Sequence, residues 1–106
     1  MTVIKILDVI ELLPDGDILK AIAWKVPKSK NFPEGIKYAF AYIHKGKRIL
    51  GYDNERAKSH HKHIVNSNTG ADTELKIDFK DILLLFKQFK EEVYKIRKVL
   101  GGKNEN

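Results

Sequence analysis

Residues 36–53 read IKYAFAYIHKGKRILGYD and carry the clearest secondary-structure signal in the chain. Over 36–44, aromatic and β-branched side chains dominate and alternate, which is the pattern of a strand with one buried face. Lys45-Gly46 then predicts a short hairpin turn into a second strand over 47–53. Alternation in that strand places Arg48, Leu50 and Tyr52 on one side of the sheet and Ile49 and Gly51 on the other. The stretch therefore predicts an antiparallel sheet as the basis of the fold.

The N-terminal quarter predicts a second hairpin. Residues 3–13 are apolar and fit a helix or a strand almost equally, but the turn PDGD at 14–17 leads into another alternating run at 18–26. A tight turn between two apolar runs favours strands on both sides. Alternation places one set of aliphatic side chains on a single side, namely Ile4, Ile6, Ile10 and Leu12. Trp24 is expected to anchor the core.

The C-terminal third predicts a long helix and allows, before it, a further hairpin. The polar run at 66–72 is a loop by composition and allows strands at 62–66 and 73–77 to pair. Asp78 is then a candidate N-cap for a helix that runs to Val99, because apolar side chains recur at intervals of three and four. Leu83, Leu84 and Leu85 widen the apolar face of this helix. These leucines could be covered by the first strand, by the chain's own loops, by a second copy in a homodimer or by a protein partner.

Together these elements predict a single α+β domain over residues 1–100, followed by a flexible tail at 101–106. The expected architecture is an antiparallel sheet of four to five strands with one long C-terminal helix packed on a face. A chain of 106 residues has room for only one core.

Composition restricts the classes of function. The chain has no cysteine, which excludes disulfides and thiolate chemistry and favours a reducing compartment, so we expect a cytoplasmic protein. It shows neither a signal peptide nor an apolar run long enough for a membrane span. The net charge is +6, and residues 25–64 hold ten Lys or Arg against three acids. This basic excess predicts a surface that attracts phosphates, although a lysine-rich composition would produce the same count.

The tract GYDNERAKSHHKH at 51–63 contains three of the four histidines and is the candidate site. In an extended segment, His61 and His63 share a face, so both imidazoles could meet one substrate as general acid and base. Arg56 and Lys58 are placed to neutralise the phosphate charge that grows in a transition state. These groups predict RNA cleavage through the ribose 2′-hydroxyl without a metal or another cofactor. Lys62, His60 and Tyr52 are candidate substrate contacts, and Asp53, Asn54 and Glu55 are candidates for shaping the loop.

Three other interpretations of the tract remain open. His60, His61 and His63 with Asp53 or Glu55 have the ligand chemistry of a zinc or nickel site in a metal-dependent hydrolase. Against a dedicated ion, adjacent His60 and His61 point to opposite sides of an extended chain. The tract could instead belong to a non-catalytic module that binds nucleic acid or protein. It could also be a solvated polar loop, so the sequence leaves open whether the chain is an enzyme.

Several motifs make the chain similar to a known family. Trp-x-Val-Pro at 24–27 and Gly-x-Lys-Tyr at 35–38 precede Gly-Tyr-Asp-Asn-Glu-Arg-x-Lys at 51–58, which is followed by His-x-His and a terminal helix. This order resembles the TumE-type toxins, small prokaryotic components of type II toxin–antitoxin pairs, over residues 15–95. The resemblance implies a toxin with a cognate antitoxin protein, and it implies no particular reaction.

The motif residues carried over from the resemblance are Tyr52, Asp53, Asn54, Glu55, Arg56, Lys58, His61 and His63. The chain departs from the family pattern where Ala57 and Ser59 stand in place of glycines and where His60 stands in place of an acid. The missing glycines imply a stiffer loop. The histidine makes the site more basic and puts in doubt any role of the family's carboxylate.

Overall fold

The computed structural model describes residues 3–54 and 59–101, which form six strands and one helix. In chain order these are β1 (Ile4–Leu12), β2 (Ile18–Lys25), β3 (Ile36–His44), β4 (Lys47–Asp53), β5 (His61–Val65), β6 (Asp72–Lys76) and α1 (Ile82–Val99). The tail predicted beyond Leu100 falls, apart from Gly101, outside the described residues.

The strands form one antiparallel sheet in the order β1-β2-β3-β4-β5-β6, so each strand pairs with its neighbours in sequence. The predicted α+β class, the antiparallel sheet and the C-terminal helix are confirmed. The predicted count of four to five strands is wrong because β6 completes a sixth. All five residues of β6 are exposed, so this strand lacks the apolar alternation that marks the others.

Helix α1 covers one face of the sheet and forms the core with it. Leu85, Phe89 and Val93 are the buried apolar residues of the helix. They join side chains from β2, β3, β4 and the adjoining turn, namely Leu13, Leu19, Ala21, Ala23, Tyr38, Phe40, Tyr42, Ile49, Leu50 and Tyr52. In residues 3–54 and 59–101 no second layer covers the opposite face of the sheet, which we call the open face.

The open face explains why the prediction for Trp24 is wrong. Leu19, Ala21 and Ala23 are the β2 residues that point to the helix, so Trp24 points the other way and stays partly exposed. The Lys5 amino group lies 4.9 Å from the centre of the indole ring. On β1, Ile10 is 73% exposed for the same reason, because only one side of the sheet carries a helix. Large apolar side chains therefore do not identify the buried side of this sheet.

A bulge in β4 changes the side on which Arg48 lies. Tyr42 pairs with Leu50, whereas the next residue of β3 pairs with Arg48, so Ile49 is an extra residue in β4. Ile49 and Leu50 are both buried although they are consecutive. Regular alternation places Arg48 on the same side as Leu50, and that prediction is wrong. The bulge places Arg48 on the open face, where a regular strand would have put Ile49.

The helix begins later than predicted. Asp81, not Asp78, is the N-cap, and its carboxylate accepts hydrogen bonds from the backbone N–H groups of Leu83 and Leu84 at 2.8 and 3.0 Å. Phe79, two residues before this N-cap, stacks on the ring of His60, with 4.5 Å between the ring centres. Within the described chain, no helix has the length and apolar character that crossing a membrane requires.

A buried polar cluster fixes the last turn of α1 to the sheet. The Arg97 side chain is fully buried, and its Nη1 donates to the carboxylates of Asp15 at 2.9 Å and Asp17 at 2.8 Å. Asp17 also accepts a hydrogen bond from the Tyr42 hydroxyl and lies 2.8 Å from Nδ1 of His44. The β1–β2 turn, β3 and the helix end are thus joined by one carboxylate.

Candidate functional site

Strand β5 carries the two histidines of the predicted acid/base pair. It pairs with β4 so that His61 lies opposite Asp53 and His63 opposite Gly51. The segment between these strands contains Glu55, Arg56 and Lys58, which lie outside the described residues. The structure therefore positions the histidines and Asp53 but not the predicted phosphate-binding cations.

Both imidazoles lie on the open face. Lys62, between them, points to the helix side, where its amino group contacts Glu92 of α1 at 3.1 Å. His61 and His63 point the other way, as residues two apart in a strand do. Their side chains are 15% and 21% exposed, so each ring has a limited opening to solvent. The shared face predicted from the spacing is the one observed.

Carboxylates from β4 and β6 surround the two rings. The Nε2 atoms of His61 and His63 each lie 3.8 Å from the same oxygen, Oε1 of Glu74. His63 also has Oδ2 of Asp53 at 3.9 Å from Nε2 and Oδ1 of Asp72 at 3.7 Å from Nδ1. These distances exceed hydrogen-bonding range, so the carboxylates lie close to the rings without fixing their orientation. The two imidazoles thus approach one point on the open face.

Glu74 and Asp72 are site residues that the sequence analysis missed. They reach the histidines because β6 pairs with β5 in a register that sets His63 opposite Glu74 and Val65 opposite Asp72. A hairpin of 62–66 with 73–77 could have revealed them, since alternate residues of its second strand must share the face of the two histidines. Choosing the correct residues required the register between the two strands, which composition alone does not give.

Ser59 gives His61 a direct partner. The Ser59 hydroxyl oxygen lies 2.8 Å from Nε2 of His61, within hydrogen-bonding distance. No comparable contact to His63 occurs in the described part of the chain. The two rings of the pair are therefore held differently, although they face the same carboxylate.

His60 lies apart from this pair. Its ring is 9% exposed and stacks on Phe79 on the helix side of the sheet. Nδ1 lies 2.9 Å from the Tyr38 hydroxyl, and Nε2 lies 3.2 Å from Oε2 of Glu34. Both ring nitrogens thus have partners inside the protein. These contacts support a structural role, since His60 fixes the start of β5 to β3.

The Asn54 side chain holds the end of β4. Its Oδ1 accepts a hydrogen bond from the Tyr38 backbone N–H at 3.0 Å, and its Nδ2 donates to the Ile36 carbonyl oxygen at 2.7 Å. Asn54 is 3% exposed, so these bonds form out of contact with solvent. The amide continues the pairing of β3 beyond Asp53 and fixes the point from which the segment before β5 departs.

Tyr52 and Lys62, two candidate substrate contacts, lie on the opposite side of the sheet from His61 and His63. The Tyr52 hydroxyl donates to Glu92, and the Lys62 amino group donates to both oxygens of the same carboxylate at 3.1 and 3.3 Å. They border an open groove of about 450 Å³ between β5 and α1. Their contacts support packing of the helix rather than contact with a substrate at the histidines.

Three tyrosines have pKa values above the ordinary range for the phenol group. Burial is the main cause for Tyr38, Tyr42 and Tyr52. Hydrogen bonds to Asp17 and Glu92 raise the pKa of Tyr42 and Tyr52 further, since each carboxylate favours the neutral phenol. All three phenols are therefore protonated throughout the neutral range.

The raised tyrosine pKa values predict a loss of stability in alkali. Neutral phenols are favoured in the folded state, so their stabilising contribution is complete below the unfolded tyrosine pKa of about 10 and falls as pH rises beyond it. Urea denaturation at increasing pH should show a falling free energy of unfolding from about pH 10 upward. Tyrosinate absorbance that develops fully without unfolding would contradict these pKa shifts.

The contacts do not assemble the three-histidine metal set. His60 points to the helix side while His61 and His63 lie on the open face. Among residues 3–54 and 59–101, no group of three or more His, Asp or Glu side chains is arranged to hold a metal ion. Glu55 of that proposed set lies outside these residues.

In a comparison with protein-family models, residues 7–97 of this chain match the family described as toxin TumE. The matched segment includes every described strand in whole or in part, and most of the helix. Neither the curated proteins nor the solved structures give a significant match.

Proposed function

Because the chain belongs to the TumE toxin family, we propose that it is the toxin of a toxin–antitoxin pair and that it acts by cleaving RNA without a metal. The observation that carries the reaction is that the Nε2 atoms of His61 and His63 both lie 3.8 Å from one carboxylate oxygen on the open face. A phosphodiester that entered between them would meet both imidazoles at once.

In the proposed reaction, one imidazole accepts the proton of the ribose 2′-hydroxyl while the other donates a proton to the leaving 5′-oxygen. The 2′-oxygen forms a bond to phosphorus as the bond from phosphorus to the 5′-oxygen breaks. The products are a 2′,3′-cyclic phosphate and a free 5′-hydroxyl. Arg56 and Lys58, carried by the segment before β5, are proposed to neutralise the phosphate.

Asp53 and Asn54 are proposed to position the site. Asn54 fixes the end of β4 through its two bonds to β3, and Asp53 lies opposite His61 on the open face. Glu55 is proposed to assist in shaping the segment that follows. Positioning by buried hydrogen bonds is the kind of support that a precise acid/base pair requires.

The reaction is tested by incubating the purified protein with a fluorescent RNA in EDTA. We expect cleavage that leaves 2′,3′-cyclic phosphate and 5′-hydroxyl ends, because no metal takes part and the 2′-oxygen is the nucleophile. The same RNA with 2′-O-methyl groups should remain intact. Cleavage that stops in EDTA and returns with zinc would support a metal-dependent hydrolase, and binding without cleavage would support a non-catalytic module.

The cellular role predicts a protein partner. A toxin is held inactive by a cognate antitoxin, so inducible expression of this chain alone should stop growth. Coexpression with a small neighbouring gene should restore it. Growth arrest by a His61/His63 double alanine variant, at equal protein level, would separate the toxin role from the proposed chemistry.

A further inference from the structure

The three carboxylates around the histidine pair create an electrostatic problem for the proposed substrate. Asp53, Asp72 and Glu74 all lie within 4 Å of an imidazole nitrogen and would repel a phosphate. A substrate phosphate at this point needs a cation on the same face to offset them. Arg48 is a candidate that the sequence analysis did not select.

The bulge at Ile49 places the Arg48 side chain over Gly51, which lies directly opposite His63. A Cβ atom added to Gly51 would lie 3.3 Å from Cδ of Arg48 and 3.4 Å from its Nε and Cζ atoms. Side chains directly opposite each other in an antiparallel pair have Cβ atoms about 5 Å apart. The guanidinium group thus occupies the space beside His63 that a side chain at position 51 would fill.

The N–H donors of the Arg48 guanidinium group are available to a ligand. Arg48 is exposed, and within residues 3–54 and 59–101 its side chain makes no hydrogen bond or ion pair. Its Cδ, Nε and Cζ atoms lie over the glycine, so the charged group stays at the sheet surface instead of extending freely into solvent. Lys47, one residue earlier, lies beside His44 and Leu100 at the end of the helix, away from the open face.

We propose that Arg48 binds a phosphate of the RNA backbone beside His63. The β4 bulge and the absence of a side chain at Gly51 place its guanidinium group there. The substrate class rests on the proposed function, but the binding site stands on the geometry of β4. A guanidinium group suits this role because its N–H donors can bond two phosphate oxygens together. Bulges are over-represented beside active sites, where they redirect a side chain.

The test measures binding of a short 2′-O-methyl RNA oligonucleotide by fluorescence anisotropy over a range of KCl concentrations. This probe cannot be cleaved, so binding is separated from catalysis. Arg48→Ala should weaken binding about tenfold, as expected when a hydrogen-bonded charge is lost. It should also make the plot of log affinity against log salt concentration less steep by about 0.7, the value for one phosphate contact in a single strand. Arg48→Lys should keep the slope and recover only part of the affinity.

Two variants serve as controls. Lys47→Ala removes the same charge one residue away and should leave affinity within about twofold of the wild type, because exposed charges off the binding face contribute little. Gly51→Ala leaves net charge unchanged but displaces the Arg48 side chain, so it should weaken binding more than Lys47→Ala does. Circular dichroism spectra and urea denaturation confirm that each variant is folded.

The results distinguish this inference from the proposed reaction. If Arg48→Ala and Lys47→Ala have equal effects, the inference is wrong even where natural RNA is cleaved. If binding depends on Arg48 but natural RNA stays intact in EDTA, the phosphate site stands and the acid/base proposal fails. If the wild-type protein does not bind the oligonucleotide, the inference is overturned.

Discussion

Asp17→Ala is expected to lower the free energy of unfolding by about 3–5 kcal/mol, the usual cost of removing one partner from a buried charge pair. Arg97 is fully buried and would lose one of the two carboxylates that its Nη1 contacts. Tyr42 and His44 would lose a hydrogen-bond partner at the same time. Urea denaturation at neutral pH, followed by circular dichroism, measures the change.

Asp15→Ala is the matched control for that loss. Asp15 contacts the same nitrogen of Arg97, but its side chain is 31% exposed, so water can replace much of what is removed. We expect a cost of about 1 kcal/mol or less, as for other exposed ion pairs. Equal costs for the two variants would show that Asp17 is not the group that joins the β1–β2 turn, β3 and the end of α1.

The second large effect concerns catalysis. His61→Ala and His63→Ala should each lower the rate of RNA cleavage by about 10²–10⁴-fold, the range for losing a general acid or base. Both rings lie on the open face, outside the core beneath the helix, so the variants should remain folded. Single-turnover cleavage with excess protein measures the chemical step.

His44→Asn provides the control for removing an imidazole. Nδ1 of His44 contacts Asp17 at the other end of the sheet, and an asparagine side chain can place a donor near the same position. Its cleavage rate should stay close to that of the wild type. A loss in His44→Asn as large as in His61→Ala would indicate a general effect on the fold.

Much of the fold is predictable from the sequence because local signals agree. The alternation in β3, the turns at Gly16 and Gly46 and the apolar spacing of α1 all point to antiparallel strands with one helix. The burial of individual side chains could not be predicted, because the helix covers only one face of the sheet. The sequence does not show which side of β1 and β2 the helix covers, and the side occupied by Ala21 and Ala23 is the covered one.

The candidate site was predictable only where it depends on spacing within one strand. His61 and His63 share a face because they are two residues apart. Glu74 is brought to them by the register of the β5–β6 hairpin, and Arg48 reaches the open face only through a bulge that inserts Ile49. Register and bulges are set by pairing across strands, so no pattern within one strand reveals them.

The most direct test of the acid/base pair is the pH dependence of RNA cleavage. A base that must be neutral and an acid that must be protonated give a bell-shaped profile, and removing each group abolishes one limb. We predict a bell for the wild type and loss of opposite limbs in His61→Ala and His63→Ala. Residual cleavage that keeps both limbs in either variant would contradict the assignment of His61 and His63.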